Sequence, residues 1–192
     1  MSKHKIAILV SGTGTNAINI IEYFEKNSVA EVVLVISNKT DALAVEKAQN
    51  KGVKTVVFNN ESFKKNGVVL DYLMSQSVDF IVLAGFLIKI SNDIIRAYPN
   101  KIVNLHPSLL PKYGGKGMYG KRVHRAVIEA QEPESGISIH FVNKEYDEGA
   151  IIFQAKVSVE KGDSVEVLTK KIQQLEHRFF PKVIEQVISK SL

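Results

Sequence analysis

The sequence predicts an α/β fold in which helices flank a doubly wound, mostly parallel sheet. Three observations support this prediction. Five early apolar runs are nearly continuous in hydrophobicity, as expected for strands that are covered on both faces. Helical patterns separate these runs, and such alternation is typical of doubly wound sheets. Two later runs alternate between apolar and polar residues, which predicts a mixed C-terminal portion of the sheet with one wetter face.

Each predicted strand is rich in β-branched residues and bounded by turn residues. The strands cover residues 6–10, 31–37, 55–58, 80–85, 102–105, 136–142 and 151–159. The intervening helices lie near residues 16–27, 41–51, 64–77, 91–98 and 118–131. Because the 192 residues contain no repeat, low-complexity tract or linker, we expect a single domain over residues 1–192.

A final helix is predicted over residues 163–190. Asp163 is the expected N-cap and Glu166 the third helical residue, as in a capping box. Apolar residues then recur at spacings of three and four, at Leu168, Ile172, Leu175, Phe179 and Val183. Pro181 is expected to kink or split this helix.

Composition narrows the classes of function. The chain has no cysteine, which excludes disulfides, thiolate metal sites and a cysteine nucleophile. A net charge of +5 permits an anionic ligand without demanding nucleic acid, and the densest basic stretch, residues 112–125, lacks an aromatic ladder. No histidine pair has metal-ligand spacing, so no metal is expected. The longest apolar run, residues 80–88, is too short for a membrane span, and a cytoplasmic protein is expected.

The turn after the first strand, VSGTGTNA (residues 10–17), predicts a phosphate site. Gly12 and Gly14 allow the backbone to approach a ligand, and Thr15 and Asn16 add polar side chains where a helix begins. Free N–H groups at a helix N-terminus favour an anion. A plain strand-to-helix turn without ligand is the alternative.

The same turn also matches the dinucleotide fingerprint G-x-G-x-x-A, which keeps an NAD(P)-dependent enzyme as an alternative. That fingerprint expects an acidic residue at the end of the second strand, for the ribose. The strand instead ends in Ser37, Asn38 and Lys39. This ending weakens the NAD interpretation, whereas Lys39 keeps an NADP version open.

Asn104 and His106 lie where the strand KIVNLH ends, the position at which ligands bind in open α/β sheets. Their i, i+2 spacing places both side chains on one face. An amide donor beside an imidazole suits acyl transfer, because the amide meets the developing oxyanion and the imidazole moves protons or stabilises that charge. Pro107 and Pro111 stiffen the loop that follows. A polar strand end whose histidine caps a loop is the alternative.

An imidazole used in this way needs an orienting carboxylate. The candidates are Glu145, Asp147 and Glu148, in a segment between the last two strands that is also compatible with an ordinary turn. The other histidines are less promising: His140 lies inside a strand, and His124 and His177 lie in helical patterns.

Together these pieces resemble the phosphoribosylglycinamide formyltransferase branch of the folate-dependent formyltransferase family. The matching stretches are ILVSGTGTN (8–16), SNK (37–39), LAGFL (83–87), NLHPSLLPKY (104–113), ISIHFVNKEYDEGAII (137–152), QAKVSV (154–159) and LEHRFFP (175–181). The Asn-x-His-Pro-Ser-Leu-Leu-Pro motif with a downstream Asp marks the wider family. The glycine turn and the late Glu-His pair indicate this branch.

The resemblance implies a role for each matched residue. The catalytic residues would be Asn104, His106 and Asp147, and the ribosyl phosphate would be held by Gly12, Gly14, Thr15 and Asn16. The glycinamide would face Gln173 and Glu176, and the folate pterin would lie against Leu87, Ile88, Lys89, Ile90 and Asn104. The co-substrate would be 10-formyltetrahydrofolate, without a metal. The partners would be small molecules, with no nucleic acid or membrane, and the protein a monomer or weak homodimer.

Two departures from the family pattern are visible. Gly67 stands where family members often carry a folate-contacting Arg, and Lys64 or Lys65 is not assigned in its place. Residues 114–124 form a longer loop than in many relatives, of open function.

The resemblance implies direct transfer of the formyl group to the amine of glycinamide ribonucleotide, in de novo purine biosynthesis. Asn104 and protonated His106 would stabilise the tetrahedral oxyanion, with Asp147 orienting the imidazole and favouring its charged form. Formyl transfer to another amine and hydrolysis of the same folate are the nearest alternatives. The related tRNA enzymes and hydrolases carry extra domains, which this chain is not expected to have. A non-catalytic nucleotide-binding module is a further alternative.

Overall fold

The apolar runs form one mixed sheet in the computed structural model, which describes residues 3–65 and 67–190. Its strands are β1 (His4–Val10), β2 (Ala30–Ser37), β3 (Lys54–Val57), β4 (Phe80–Leu83), β5 (Ile102–His106), β6 (Glu134–Phe141) and β7 (Ile151–Ser158). They lie in the order β3-β2-β1-β4-β5-β6-β7. Strands β1 to β5 are parallel, β6 pairs antiparallel with β5, and β7 pairs antiparallel with β6. The predicted doubly wound sheet with a mixed C-terminal portion is confirmed.

Helices cover both faces of this sheet. They are α1 (Thr15–Glu25), α2 (Leu43–Asn50), α3 (Asn60–Lys64), α4 (Val68–Ser75), α5 (Asn92–Ala97), α6 (Lys121–Glu129) and α7 (Val165–Lys190). One core lies between the sheet and α1, α2, α6 and α7, and the other between the sheet and α3, α4 and α5. The inner strands have apolar residues facing both cores, which explains their nearly continuous hydrophobicity. Within the described residues, no helix combines the length and apolar character needed to cross a bilayer.

The helix predicted over residues 64–77 is wrong in its boundaries. Asn59 caps a separate short helix, α3, by accepting a hydrogen bond from the Ser62 N–H at 2.9 Å. Helix α4 then starts after Gly67, whose φ of 89° lies in a region that favours glycine. Residue 66, inside the predicted span, lies outside the described residues.

The predicted N-cap of the last helix is also wrong. Helix α7 begins at Val165, and the Ser164 hydroxyl accepts a hydrogen bond from the Val167 N–H at 3.3 Å. Asp163 instead accepts hydrogen bonds from the Lys171 ammonium at 2.5 Å and from the Glu160 N–H at 2.9 Å. Its carboxylate therefore ties the preceding turn to the helix, one residue before the cap.

Helix α7 continues through Pro181 without being split. Proline has no N–H for the carbonyl four residues earlier, which belongs to His177. Asn19 on α1 supplies the missing donor, because its side-chain amide donates to that carbonyl at 2.9 Å. A side chain of a neighbouring helix thus replaces one backbone hydrogen bond and joins α1 to α7.

Candidate active site

A cavity of about 750 Å³ opens where the parallel strands β1, β4 and β5 end. This is the edge of an open α/β sheet at which ligands bind. Every residue predicted for the site lines this one cavity: Gly12, Gly14, Thr15, Asn16, Leu87, Ile88, Lys89, Ile90, Asn104, His106, Asp147, Gln173 and Glu176. Segments far apart in the sequence therefore converge, as the prediction requires.

The glycine turn forms one end of the cavity. Gly14 is the N-cap of α1, with φ of 74° and no side-chain cap. A Cβ atom at Gly14 would lie 2.5 Å from the Cβ of Ala44 on α2, so this position needs glycine for both conformation and space. A Cβ at Gly12 would meet nothing within 4 Å. The exposed Gly12 and the uncapped first turn of α1 leave room and N–H groups for an anion.

Asn16 and Glu176 connect this turn to α7. The Asn16 amide donates to the Glu176 carboxylate at 2.8 Å, and the Asn16 carbonyl oxygen is buried without a partner among the described residues. Burial raises the pKa of Glu176, and the Asn16 hydrogen bond offsets part of that effect. Gln173 lies nearly one turn earlier on α7 and also lines the cavity. These polar groups border the end of the cavity that the glycine turn forms.

The register of β5 against β6 places His140 directly opposite Asn104. The Asn104 Nδ2 atom lies 3.1 Å from His140 Nε2 and 3.5 Å from Asp147 Oδ1. His140 Nδ1 lies 2.8 Å from the Phe141 carbonyl, and because a carbonyl only accepts, this nitrogen carries a hydrogen. The Asn104 amide is thus held in one orientation, with one N–H directed to His140 and the other to Asp147, the longer of the two contacts.

His106 is 4% exposed and has a protein group at each ring nitrogen. Its Nε2 donates to the Tyr113 carbonyl at 2.8 Å, and its Nδ1 lies 3.4 Å from the Asp147 carboxylate. Burial lowers the pKa of His106 below 6.5, although Asp147 and the Tyr113 carbonyl act in the opposite direction. The imidazole is therefore mainly neutral at pH 7 in the free protein, because burial outweighs the effect expected from Asp147.

Asp147 bridges the two histidines. Its carboxylate lies 3.4 Å from His106 Nδ1 and 3.6 Å from His140 Nε2, and it accepts a hydrogen bond from the Gly115 N–H at 2.9 Å. Burial raises the pKa of Asp147, but the two histidines and the Gly115 N–H outweigh burial and the pKa is lowered. Asp147 is ionised at neutral pH and has φ of 57°, a conformation that is rare for residues other than glycine.

The opposite wall of the cavity is largely apolar and follows β4. Leu87 is 46% exposed, whereas Ile90 is 4% exposed and packs into the second core. The Leu87 N–H donates to the Ser11 hydroxyl at 3.0 Å, which fixes this segment beside the end of β1. The Lys89 ammonium lies 5.2 Å from the centre of the Tyr146 ring. This wall offers a surface for a flat ring system.

A glycine-rich segment closes the third side. Residues 115–122 line the cavity, and Gly115, Gly117 and Gly120 all have positive φ. The side chains of Lys116, Lys121 and Arg122, in the same segment, give this side of the cavity its positive charge. The segment lies where the sequence predicts a longer loop, and it forms part of the wall.

Sequence reasoning underestimated two histidines. His140 contacts both Asn104 and Asp147. The signal available in the sequence was its i, i+2 spacing from Ser138, which places two polar side chains on one face of a predicted strand. His124 lines the cavity although its helical pattern suggested an ordinary helix face. Gly67, in contrast, donates its N–H to Asp93 at 2.7 Å, and Lys64 pairs with Glu61 at 2.7 Å. Neither Gly67 nor Lys64 is among the described residues that line the cavity.

The end of β2 takes no part in the cavity wall. Asn38 accepts a hydrogen bond from the Ser11 hydroxyl at 2.6 Å and donates one to Asn60 at 3.0 Å. The cavity extends from the glycine turn towards β5 and β6, away from Lys39. Its shape therefore does not favour the dinucleotide alternative. In the described part of the chain, no three His, Asp or Glu side chains group as a metal site would require.

Comparison with known proteins gives consistent results. Residues 4–184 match the profile of the family described as formyl transferase. The chain is 39% identical over 188 residues to the chloroplastic phosphoribosylglycinamide formyltransferase of Arabidopsis thaliana, covering 95% of this chain and 64% of that protein. It is 39% identical over 186 residues to the phosphoribosylglycinamide formyltransferase of Haemophilus influenzae, covering 94% of this chain and 85% of that protein.

The fold is similar to that of solved structures. The crystal structure of glycinamide ribonucleotide transformylase 1 from Symbiobacterium toebii superposes with a TM-score of 0.89 at 33% identity. The match covers 98% of this chain and 89% of that one. The resemblance read from the sequence motifs is thereby confirmed. The chain spans less than two thirds of the length of the Arabidopsis relative.

Proposed function

Because the chain belongs to the formyl transferase family, we propose that it transfers the formyl group of 10-formyltetrahydrofolate to the amine of N1-(5-phosphoribosyl)glycinamide. The products are the formylglycinamide ribonucleotide and tetrahydrofolate, in one-carbon metabolism and de novo purine biosynthesis. The observation that carries this proposal is the convergence of Asn104, His106 and Asp147 in a cavity that also borders an uncapped glycine turn.

The two substrates enter from different ends of the cavity. The ribosyl phosphate binds the N–H groups and side chains of Gly12, Gly14, Thr15 and Asn16, and the glycinamide lies against Gln173 and Glu176. The folate pterin lies against Leu87, Ile88, Lys89 and Ile90, beside Asn104. This arrangement brings the amine and the formyl carbon together next to Asn104 and Asp147, and such positioning converts a bimolecular step into one within a complex.

The transfer is direct, without a covalent intermediate on the protein. The amine nitrogen attacks the formyl carbon, forming a C–N bond and a tetrahedral centre with an anionic oxygen. The bond between that carbon and N10 of the folate then breaks, and N10 receives the proton that the amine loses. The lack of cysteine in the chain agrees with this route.

Each of the three side chains has its own part in this step. The Asn104 amide exchanges its 3.5 Å contact with Asp147 for a hydrogen bond to the oxyanion. His106, neutral in the free protein, takes up the amine proton by way of Asp147 and becomes an imidazolium, and it returns that proton to N10 by the same route as the carbon–N10 bond breaks. Both N–H groups of this imidazolium then face acceptors, the Asp147 carboxylate and the Tyr113 carbonyl. A positive charge at this desolvated position stabilises the oxyanion through space.

Residues 1–192 act as a single formyltransferase domain, as a monomer or weak homodimer in the cytoplasm. The substrates are small molecules, with no part for nucleic acid, membrane or a metal.

A spectrophotometric assay of folate product, run with and without glycinamide ribonucleotide, tests the proposed function. We expect product release that depends on the amine substrate and yields one formylated ribonucleotide per folate. Release at the same rate without the amine would instead identify a hydrolase. Tight NADPH binding with no binding of folate would replace the proposal with an oxidoreductase.

A further inference from the structure

His124, in the first turn of α6, lines the cavity and is not used by the proposed mechanism. Its side chain is buried, with 4% of the residue exposed. Among the described residues, neither ring nitrogen has a hydrogen-bond partner, and Nδ1 is sealed from solvent. A polar group buried in this way costs free energy unless a partner meets it, so such a group calls for an explanation.

The burial pattern determines which nitrogen carries the hydrogen. An unpaired buried N–H is costlier and rarer than an unpaired acceptor, so the sealed Nδ1 is the bare nitrogen. The hydrogen then resides on Nε2, the nitrogen that is not sealed. Because His124 lines the cavity and Nε2 is its unsealed nitrogen, we infer that this N–H faces the cavity.

The ring remains a neutral donor near pH 7. Burial, followed by the proximity of His106, lowers the pKa of His124 to about 4. A neutral N–H suits an uncharged oxygen acceptor, such as a hydroxyl or a carbonyl, better than it suits a cationic amine.

The position of His124 indicates which substrate it meets. Helix α6 packs against α7, which carries Gln173 and Glu176, whereas residues 87–90 lie along the opposite wall after β4. His124 therefore borders the half of the cavity assigned to the ribosyl glycinamide, next to His106.

Building on the proposed function, we propose that His124 is a positioning residue that donates a hydrogen bond from Nε2 to an oxygen of the ribosyl glycinamide. This bond orients the amine substrate so that its nitrogen faces the formyl carbon. The residue serves binding and orientation and exchanges no proton with the reacting atoms.

Calorimetric titration of glycinamide ribonucleotide into the parent and three variants tests this assignment without requiring turnover. His124→Phe keeps the ring shape and removes the donor. His124→Gln can place an amide N–H where Nε2 lies, whereas His124→Asn places its amide nearer to Nδ1. Titration of the folate into each variant serves as the internal control, and thermal unfolding reports whether each one folds.

We expect His124→Phe and His124→Asn to weaken binding of the ribonucleotide about 3- to 10-fold, the usual effect of one neutral hydrogen bond. Folate binding should be unchanged, His124→Gln should bind the ribonucleotide within about twofold of the parent, and KM for the amine should follow the same order. Parent-like ribonucleotide binding by His124→Phe, or equal weakening for both substrates, would overturn the assignment. If His124→Phe does not fold, the contrast between the Gln and Asn variants decides. A parent that binds folate but no ribonucleotide would overturn the proposed function itself.

Discussion

At the scale of single residues, the two glycines of the turn after β1 have different surroundings, so substitutions at Gly12 and Gly14 should have different effects. Gly14→Ala places a Cβ 2.5 Å from Ala44 at positive φ, so we expect about 1–3 kcal/mol of lost stability in chemical denaturation. Gly12→Ala meets no atom and should unfold like the parent, yet it should raise KM for the amine substrate by narrowing the anion site. Unchanged KM in a folded Gly12→Ala protein would argue against a phosphate there.

The charge of His106 gives a second prediction at this scale. Burial lowers its pKa below 6.5, and Asp147 partly offsets that shift. Asp147→Asn removes the offsetting charge, so the pKa of His106 should fall further. NMR titration of the imidazole signals, with His106→Gln for assignment, measures both values. A pKa above 6.5 in the parent, or one that rises in Asp147→Asn, would contradict the account of burial.

Only part of this residue-level geometry follows from sequence. The i, i+2 spacing of Asn104 and His106 at a strand end predicted a shared face, because strand geometry is regular. The choice of Asp147 over Glu145 and Glu148 came from the family resemblance. In the structure, its carboxylate reaches His106 from a left-handed backbone conformation that no periodic pattern encodes.

At the scale of elements, the contact between Asn19 and the His177 carbonyl compensates for Pro181. Asn19→Ala should cost about 1 kcal/mol of unfolding free energy, because it leaves that carbonyl without a donor. In a Pro181→Ala background the new backbone N–H can serve the carbonyl, so the same substitution should cost clearly less. A double-mutant cycle by denaturant unfolding measures the coupling. If the effects of the two substitutions on the free energy of unfolding are additive, Asn19 does not compensate for Pro181.

The strands and most helices were predicted well, and the region around Gly67 was not. All seven predicted strands and α7 were found close to their expected spans, because continuous or periodic burial of apolar residues defines them. The helix expected at residues 64–77 failed at Gly67, where a positive φ separates α3 from α4. Such a break depends on one backbone angle, and the spacing of apolar residues along the sequence does not reveal that angle.

At the scale of the whole molecule, buried histidines predict loss of stability in mild acid. Burial lowers the pKa of His106, His124 and His177 in the folded protein, with His124 at about 4. As pH falls through 6.5, the unfolded chain binds protons at these histidines before the folded protein does. Their contribution to the free energy of unfolding is therefore greatest above pH 6.5 and is lost towards pH 4. For His124 the loss is on the order of 3 kcal/mol.

Thermal unfolding between pH 7.5 and 4 measures this effect. The melting temperature of the parent should fall steadily below pH 6.5, and His124→Phe should reduce that slope. His4→Phe, at the start of β1 and away from the cavity, is the matched control. An equal slope in all three proteins would refute the contribution of His124.

The central claim is that Asn104 and His106, backed by Asp147, stabilise a tetrahedral oxyanion. The most direct measurement is the turnover number of Asn104→Ala with saturating amine and formyl folate, beside Asn50→Ala on the exposed end of α2. Loss of one preorganised oxyanion donor costs about 2.7–4 kcal/mol, so turnover should fall roughly a hundredfold or more while the control stays near the parent. Parent-like turnover in a folded Asn104→Ala protein would contradict the account.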